Sequence, residues 1–174
     1  MIKFAIILSG CGVYDGTEIH EATMSMLAVD QAGAQYELFA PDINQKHVIN
    51  HLTKKPSEEV RNVLVESARI ARGKIRNLKE FNAAEFDALL FPGGFGAAKN
   101  LSDYAFSGAA MQVNADVEKA IQSMHLAGKP IGALCIAPVL LANVIAGCNV
   151  TVGNDKDTSE HIEQMNSHHS TADA

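Results

Sequence analysis

The segment Lys129-Pro130-Ile131-Gly132-Ala133-Leu134-Cys135-Ile136-Ala137-Pro138 carries a thiol from the end of an apolar, strand-like run into the start of a helix. A cysteine placed there lies beside unpaired N–H groups and the positive end of a helix dipole. Both favour thiolate, the form that attacks carbonyl carbon. Pro138 suits the first helical turn, where a missing N–H leaves no bond unmade. The same residues also suit a cysteine acting as a small buried hydrophobe, since free cysteine is commonly buried.

A second segment, Pro92-Gly93-Gly94-Phe95-Gly96, ends another apolar run in glycines that let the backbone approach a ligand closely. Exposed N–H groups of this segment, together with that of Ile136 just after the thiol, would form an oxyanion site. Taken alone, the segment reads as a plain tight turn. Glu18 and Glu21 stand three apart on one helical face, near the carboxyl end of the first strand. A carboxylate there would share a proton with a nearby thiol or shuttle one for substrate. Solvation alone accounts for most acids on a helix surface, and His20 points to a different face.

The loop Gly10-Cys11-Gly12-Val13-Tyr14-Asp15-Gly16 approaches a dinucleotide fingerprint, but its third glycine falls one residue late. The ribose-binding acid would have to be Glu37 or Asp42. A loop that shapes the pocket beside Cys135 is the preferred reading, with Cys11 as a pocket residue, either a resolving thiol or inert. Cys148 reads as structural, and His47, His51 and His125 show no ligand spacing. No metal site is expected.

The elements that must position these groups alternate between strand and helix. Residues 2–8 are a continuous apolar run, as in a strand buried on both faces, and 18–31 a helix with Thr17 as its cap. Residues 36–40 form a second strand, and Val48-Ile49 is a short extended piece. A helix opens at Ser57-Glu58-Glu59, placing Val60, Val63, Leu64 and Ala68 on one face up to Gly73. Residues 86–91 are a third strand, 114–127 a helix, 130–134 a fourth strand and 136–146 a helix. Asn149 to Val152 is a further strand. The tail from Asp155 to Ala174, with His161, His168 and His169, reads as solvated and partly disordered. This alternation predicts a parallel sheet covered on both faces, with ligands beyond the carboxyl ends of its strands.

A chain of 174 residues, 47% hydrophobic, has the size of one domain. The formal charge of −6 with scattered basic residues speaks against nucleic acid, and no run approaches the about 20 apolar residues of a membrane span. The opening residues run straight into a strand without a signal-peptide pattern, so a cytoplasmic location is expected. Three cysteines at wide spacing indicate reduced thiols rather than a disulfide framework or zinc site.

Together the segments resemble the DJ-1/PfpI-like, class I glutamine amidotransferase-like superfamily. Within it the chain resembles the ElbB-like branch, through residues 9–21, Arg61-Asn62-Val63-Leu64, residues 92–101, 128–132 and Cys135-Ile136-Ala137-Pro138. The resemblance implies a flavodoxin-like three-layer sandwich with a mostly parallel sheet, often a homodimer. It also implies glyoxalase-type activity without a cofactor.

By the same resemblance Cys135 falls on the family nucleophile, Glu21 rather than Glu18 on its acidic partner, and Gly94 and Ile136 on the oxyanion positions. Cys11, Glu18 and Asn62 are further pocket candidates. Many relatives carry histidine where Ile136 stands here, so a glutaminase-type triad has no evident histidine. By the resemblance, residues 1–174 are expected to form a single domain that lacks the family's final strand and helix. The expected chemistry turns a small carbonyl substrate, glyoxal or methylglyoxal, into a 2-hydroxy acid through a Cys135 hemithioacetal, with deglycase activity as its reflection on glycation adducts. Two other roles fit the same fold: a redox-sensing or protective thiol protein, and a non-enzymatic binding module.

Overall fold

In the computed structural model, which describes residues 1–172, the chain runs β1 (Lys3–Ile7), α1 (Ile19–Gln31), β2 (Gln35–Ala40), β3 (Ile49–Asn50), β4 (Lys55–Pro56), α2 (Val63–Ala71), β5 (Arg76–Asn77) and β6 (Ala88–Phe91). It continues through α3 (Phe95–Lys99), α4 (Tyr104–Ser107), α5 (Ala115–Leu126), β7 (Ile131–Ala133), α6 (Pro138–Val144), β8 (Asn149–Val150), α7 (Lys156–Gln164) and β9 (His168–His169). Five strands form one parallel sheet in the order β5-β2-β1-β6-β7. The fold is the expected α/β class, a flavodoxin-like sheet flanked by helices.

Alternation along the strands builds the two flanking layers, because neighbouring side chains leave a strand on opposite faces. Ala5 and Ile7 of β1, with Phe39, Leu89 and Phe91, pack against Val117, Ile121 and Met124 of α5 and Leu140 of α6. Ile6 and Leu8 face the other way, with Leu38 and Ala40, onto Ala22 of α1 and Val63 and Ala71 of α2. All four residues from Ala5 to Leu8 are fully buried, which is why the run is apolar without a break.

Three expected features change. Glu18, not Thr17, caps α1: its Oε2 accepts the Glu21 N–H at 2.7 Å, while the Thr17 hydroxyl is buried and accepts Ser9 N–H. The second helix starts at Val63 rather than Ser57, because Asn62 supplies the cap and Lys55-Pro56 belong to a small hairpin with β3. Val60 is consequently exposed. The tail is structured: α7 buries Thr158 and Ile162, and β9 pairs with β8. Asp155 caps that helix through Thr158 N–H at 2.8 Å, so a polar segment is docked by few buried groups. The last two residues of that tail lie outside the described residues.

At the β2–β5 edge, Glu37 accepts hydrogen bonds from Lys3 (2.7 Å) and Arg76 (3.0 Å). The Lys3 bond, opposed by partial burial and reinforced by Arg76, holds this carboxyl below the usual range. A depressed folded-state value stabilises above the unfolded value, and the gain disappears as pH falls through the folded one. The side chain is about a third exposed, so Glu37→Gln is expected to lower the melting temperature at pH 7 by only about 1–3 °C. The two melting curves should converge as the pH is taken well below about 4; a gap that persists in acid would assign the loss to packing.

Candidate active site

β7 ends at Ala133, but Leu134 still donates its N–H to Phe91 O at 3.0 Å, so the chain leaves the sheet only at Cys135. There the backbone turns over into the left-handed region, with φ of 55°. Ala137 N–H closes the turn onto Leu134 O at 2.9 Å, and Pro138 opens α6. A residue with a Cβ resists this conformation by roughly 1–2 kcal/mol, so the turn is held by what surrounds it. Its effect is to lift the thiol off the sheet's carboxyl edge. Cys135 is exposed, whereas Cys11 and Cys148 are half-buried.

Glu21 reaches the same place from the first turn of α1. Its Oε2 accepts Gly93 N–H at 2.7 Å, and Glu18 N–H donates to Gly93 O at 2.9 Å, so one glycine fastens the helix start through both of its backbone groups. A Cβ on Gly93 would overlap the Cβ of Cys135 and stand 2.8 Å from Glu21 Oε2 and 2.9 Å from Leu134 O. The bare α-carbon of Gly93 is therefore what separates the thiol-bearing carbon from the carboxylate. Gly94, at φ 95°, has no more room, because its Cβ would meet Glu18 N and Gly16 O.

The N–H groups of Gly94 and Ile136 donate to no backbone carbonyl of the described residues. Both residues line a cavity of about 720 Å³ with Cys135, and Val13, Phe95, Tyr104 and Val152 complete much of its wall. Free backbone donors beside a thiol are what an oxyanion site requires. The sequence places oxyanion donors somewhere in the glycine segment 92–96, and the family resemblance puts one of them at Gly94. The structure divides it: Gly93 N–H holds Glu21, and Gly94 N–H is the open one.

The other candidates lie elsewhere or have different work. Glu18 is a helix cap that also bonds His20 Nδ1 at 2.8 Å. Burial pulls its carboxyl upward, but the bonds from His20 and Glu21 N–H outweigh it and hold it below the usual range. Cys11 does not line the cavity; burial first, then the charge of Glu66, push its thiol up against the opposing pull of Arg69, which disfavours thiolate. Asn62 is also outside the cavity, accepting Val65 N–H and donating to Asp42 at 2.7 Å.

In the glycine loop after β1 the three glycine N–H groups that a phosphate cradle would use are engaged. Gly10 N–H bonds Ser67 Oγ, Gly12 N–H bonds Thr17 O, and Gly16 N–H bonds Gly12 O. Sequence reading missed Tyr104, whose hydroxyl lies 2.9 Å from His161 Nδ1 on α7. Burial raises this phenol, with a Thr158 hydrogen bond opposing. No ligand spacing pointed to His161, and it reaches the cavity wall only because the tail folds back. Among the described residues no cluster of three metal-binding side chains occurs.

A cysteine on a left-handed strand-to-helix turn of a parallel sheet, its Cβ and a Glu21 carboxylate oxygen from the helix after β1 both lying against the vacant Cβ position of Gly93, with Glu21 itself outside the cavity lining, defines a class of α/β protein with a cysteine at the sheet's carboxyl edge. The DJ-1/PfpI family model matches residues 12–168, and the chain belongs to that family. It is 52% identical over 177 residues to human glutamine amidotransferase-like class 1 domain-containing protein 3, mitochondrial, covering 96% of this chain and 66% of that protein. The rat ES1 protein homolog, mitochondrial, is 57% identical over 156 residues, covering 89% of this chain and 59% of the relative.

The chain thus spans about three fifths to two thirds of the length of these curated relatives. A solved isoprenoid biosynthesis protein with an amidotransferase-like domain from Ehrlichia chaffeensis superposes with a TM-score of 0.89 at 41% identity, over 98% of this chain and 80% of that one. The relatives named as mitochondrial overturn the expectation of a cytoplasmic location. That expectation rested on the absence of a signal pattern, and a folded domain carries no physical record of its compartment.

Proposed function

We propose that this protein converts a small 2-oxoaldehyde, such as glyoxal or methylglyoxal, to the 2-hydroxy acid without a cofactor, as an ElbB-like member of its family. The observation that carries this reading is that Cys135 Cβ and Glu21 Oε2 both lie against the vacant Cβ position of Gly93, beside the open N–H groups of Gly94 and Ile136.

The Cys135 thiolate adds to the aldehyde carbon, forming a C–S bond, and the oxygen left on that carbon becomes a hemithioacetal. Gly94 and Ile136 N–H stabilise the charge on that oxygen as it develops. Glu21 takes the hydrogen of the same carbon as a proton and returns it to the neighbouring carbonyl carbon through an enediol, while the hydroxyl proton of the hemithioacetal passes to the neighbouring oxygen, leaving a thioester of Cys135 with a hydroxyl on the next carbon. Water cleaves the thioester, releasing the 2-hydroxy acid and the thiol. Aldehyde plus water in, acid out: no electron acceptor is needed, because one carbon is oxidised as its neighbour is reduced.

Glu21→Gln keeps an acceptor for Gly93 N–H while removing the base. It is expected to lower kcat for methylglyoxal by about 100-fold or more, with Cys135 still open to alkylation. Chromatographic measurement of the hydroxy acid, controlled for reversible adduct formation, decides the matter. No product from the wild-type protein, or equal turnover by the variant, would sink the proposal.

A further inference from the structure

We infer that the mouth of the Cys135 cavity selects a carbonyl compound carrying an anionic group, a phosphate or a carboxylate. This rests on reading Cys135 as the thiol that meets substrate and goes further by naming what else the substrate carries. A cavity of about 720 Å³ lies in the range that holds drug-sized ligands, and the smallest oxoaldehydes leave most of it empty.

Basic side chains gather just behind one wall of the cavity, beside its lining residues Val13, Phe95, Ala98 and Ala105 rather than in the lining itself, in a chain of net charge −6. Lys99, at the end of α3, donates to Tyr14 O at 3.0 Å and lies 5.2 Å from the ring of Phe95, which lines the cavity. No carboxylate of the described residues pairs with it, and burial lowers its pKa against the pull of Asp15. A partly desolvated ammonium with two donors unused is a site that an anion satisfies.

The loop carrying β3 extends the same group. Lys54 sits 5.6 Å above the Tyr14 ring, and His51 lies 5.0 Å from that ring. Lys46 sits 5.5 Å from the Phe106 ring, with His47 edge-on to it, and Lys46 N–H bonds Asn100 Oδ1 beside Lys99. Tyr14 and Phe106 directly follow Val13 and Ala105, both of which line the cavity. Three acids stand nearby and are hydrogen-bonded: Asp15 is buried, accepts Ile49 N–H and lies 4.0 Å from His51, Asp103 accepts Gln112 N–H and the Ser107 hydroxyl, and Asp155, which lines the cavity wall away from Lys99, caps α7.

The test reads charge selection without requiring turnover. Alkylation of Cys135 in the intact protein is followed by peptide mass spectrometry with anionic iodoacetate and neutral iodoacetamide. The iodoacetate-to-iodoacetamide rate ratio is expected to fall about fivefold in Lys99→Met, to be kept in Lys99→Arg, and to shrink in 0.5 M salt. Protection by inorganic phosphate rather than acetate assigns a phosphoryl group, and the reverse assigns a carboxylate. A ratio indifferent to Lys99→Met in a folded protein, or protection by neither anion, overturns the inference. Because alkylation needs no hydroxy-acid chemistry, failure of the proposed reaction leaves a distinct signature: no product, yet a preserved charge preference.

Discussion

Cys135→Ser and Cys135→Ala are expected to leave no measurable hydroxy-acid formation, a loss of at least about a thousandfold. Serine keeps the shape of the turn, so geometry is not what disappears. A hydroxyl is a far weaker nucleophile than a thiol near neutral pH, and the carboxylate held beside the turn, Glu21, is fixed to Gly93 N–H. Stability separates the chemistry from the backbone conformation. At φ 55° a side chain costs roughly 1–2 kcal/mol, whereas glycine loses about 0.5–1 kcal/mol more backbone entropy on folding. Cys135→Gly should therefore be inactive yet melt at or slightly above the wild-type temperature. Unchanged turnover in the serine variant would remove Cys135 from the reaction, and a clear drop in melting temperature for Cys135→Gly would remove the strain.

What could be read in advance depended on how local each signal is. Ala5 to Leu8 announce a central strand because both faces are buried, and burial on both faces has no other sequence expression than an unbroken apolar run. The Cys135 turn was legible because strand, thiol and Pro138 follow one another within a few residues. The two residues of β5 are too few to show an alternating pattern, and Arg76 meets Glu37 of β2 through a charged side chain that does not read as strand. α3 hides in a glycine-rich stretch whose Gly96 is needed because its Cβ would collide with Ser9 Oγ and Gly16.

The polar tail misled for a related reason. α7 buries two side chains, Thr158 and Ile162, so its docking surface is nearly invisible in composition. Ser57-Glu58-Glu59 looked like a helix start, yet a cap is decided by which side chain meets the free N–H groups, and that is Asn62. Glu21 was preferred over Glu18 only through family resemblance; the structure supplies a physical reason, since Glu18 is the cap and Glu21 the residue that reaches Gly93.

The role of Gly93 had no sequence signature, and its replacement should damage stability and turnover together. Gly93→Ala places a methyl group into Cys135 Cβ, 2.8 Å from Glu21 Oε2 and 2.9 Å from Leu134 O. Backbone on one side and a fastened carboxylate on the other leave little room to yield, and overpacking of this kind costs about 1–3 kcal/mol. For a domain of this size the melting temperature should fall by roughly 3–10 °C. Relief of the clash requires Cys135 and Glu21 to separate, so turnover should drop by about 100-fold even in the fraction that stays folded.

Gly132→Ala is the matched control. Its Cβ meets Leu90 Cδ1 at 2.8 Å, the far end of a side chain that can rotate, so both stability and turnover should change little. Thermal melts and methylglyoxal kinetics on the two variants separate these cases. Equal behaviour of the pair would mean that the thiol and the carboxylate are not held apart by Gly93, and that their separation is set elsewhere in the sheet edge.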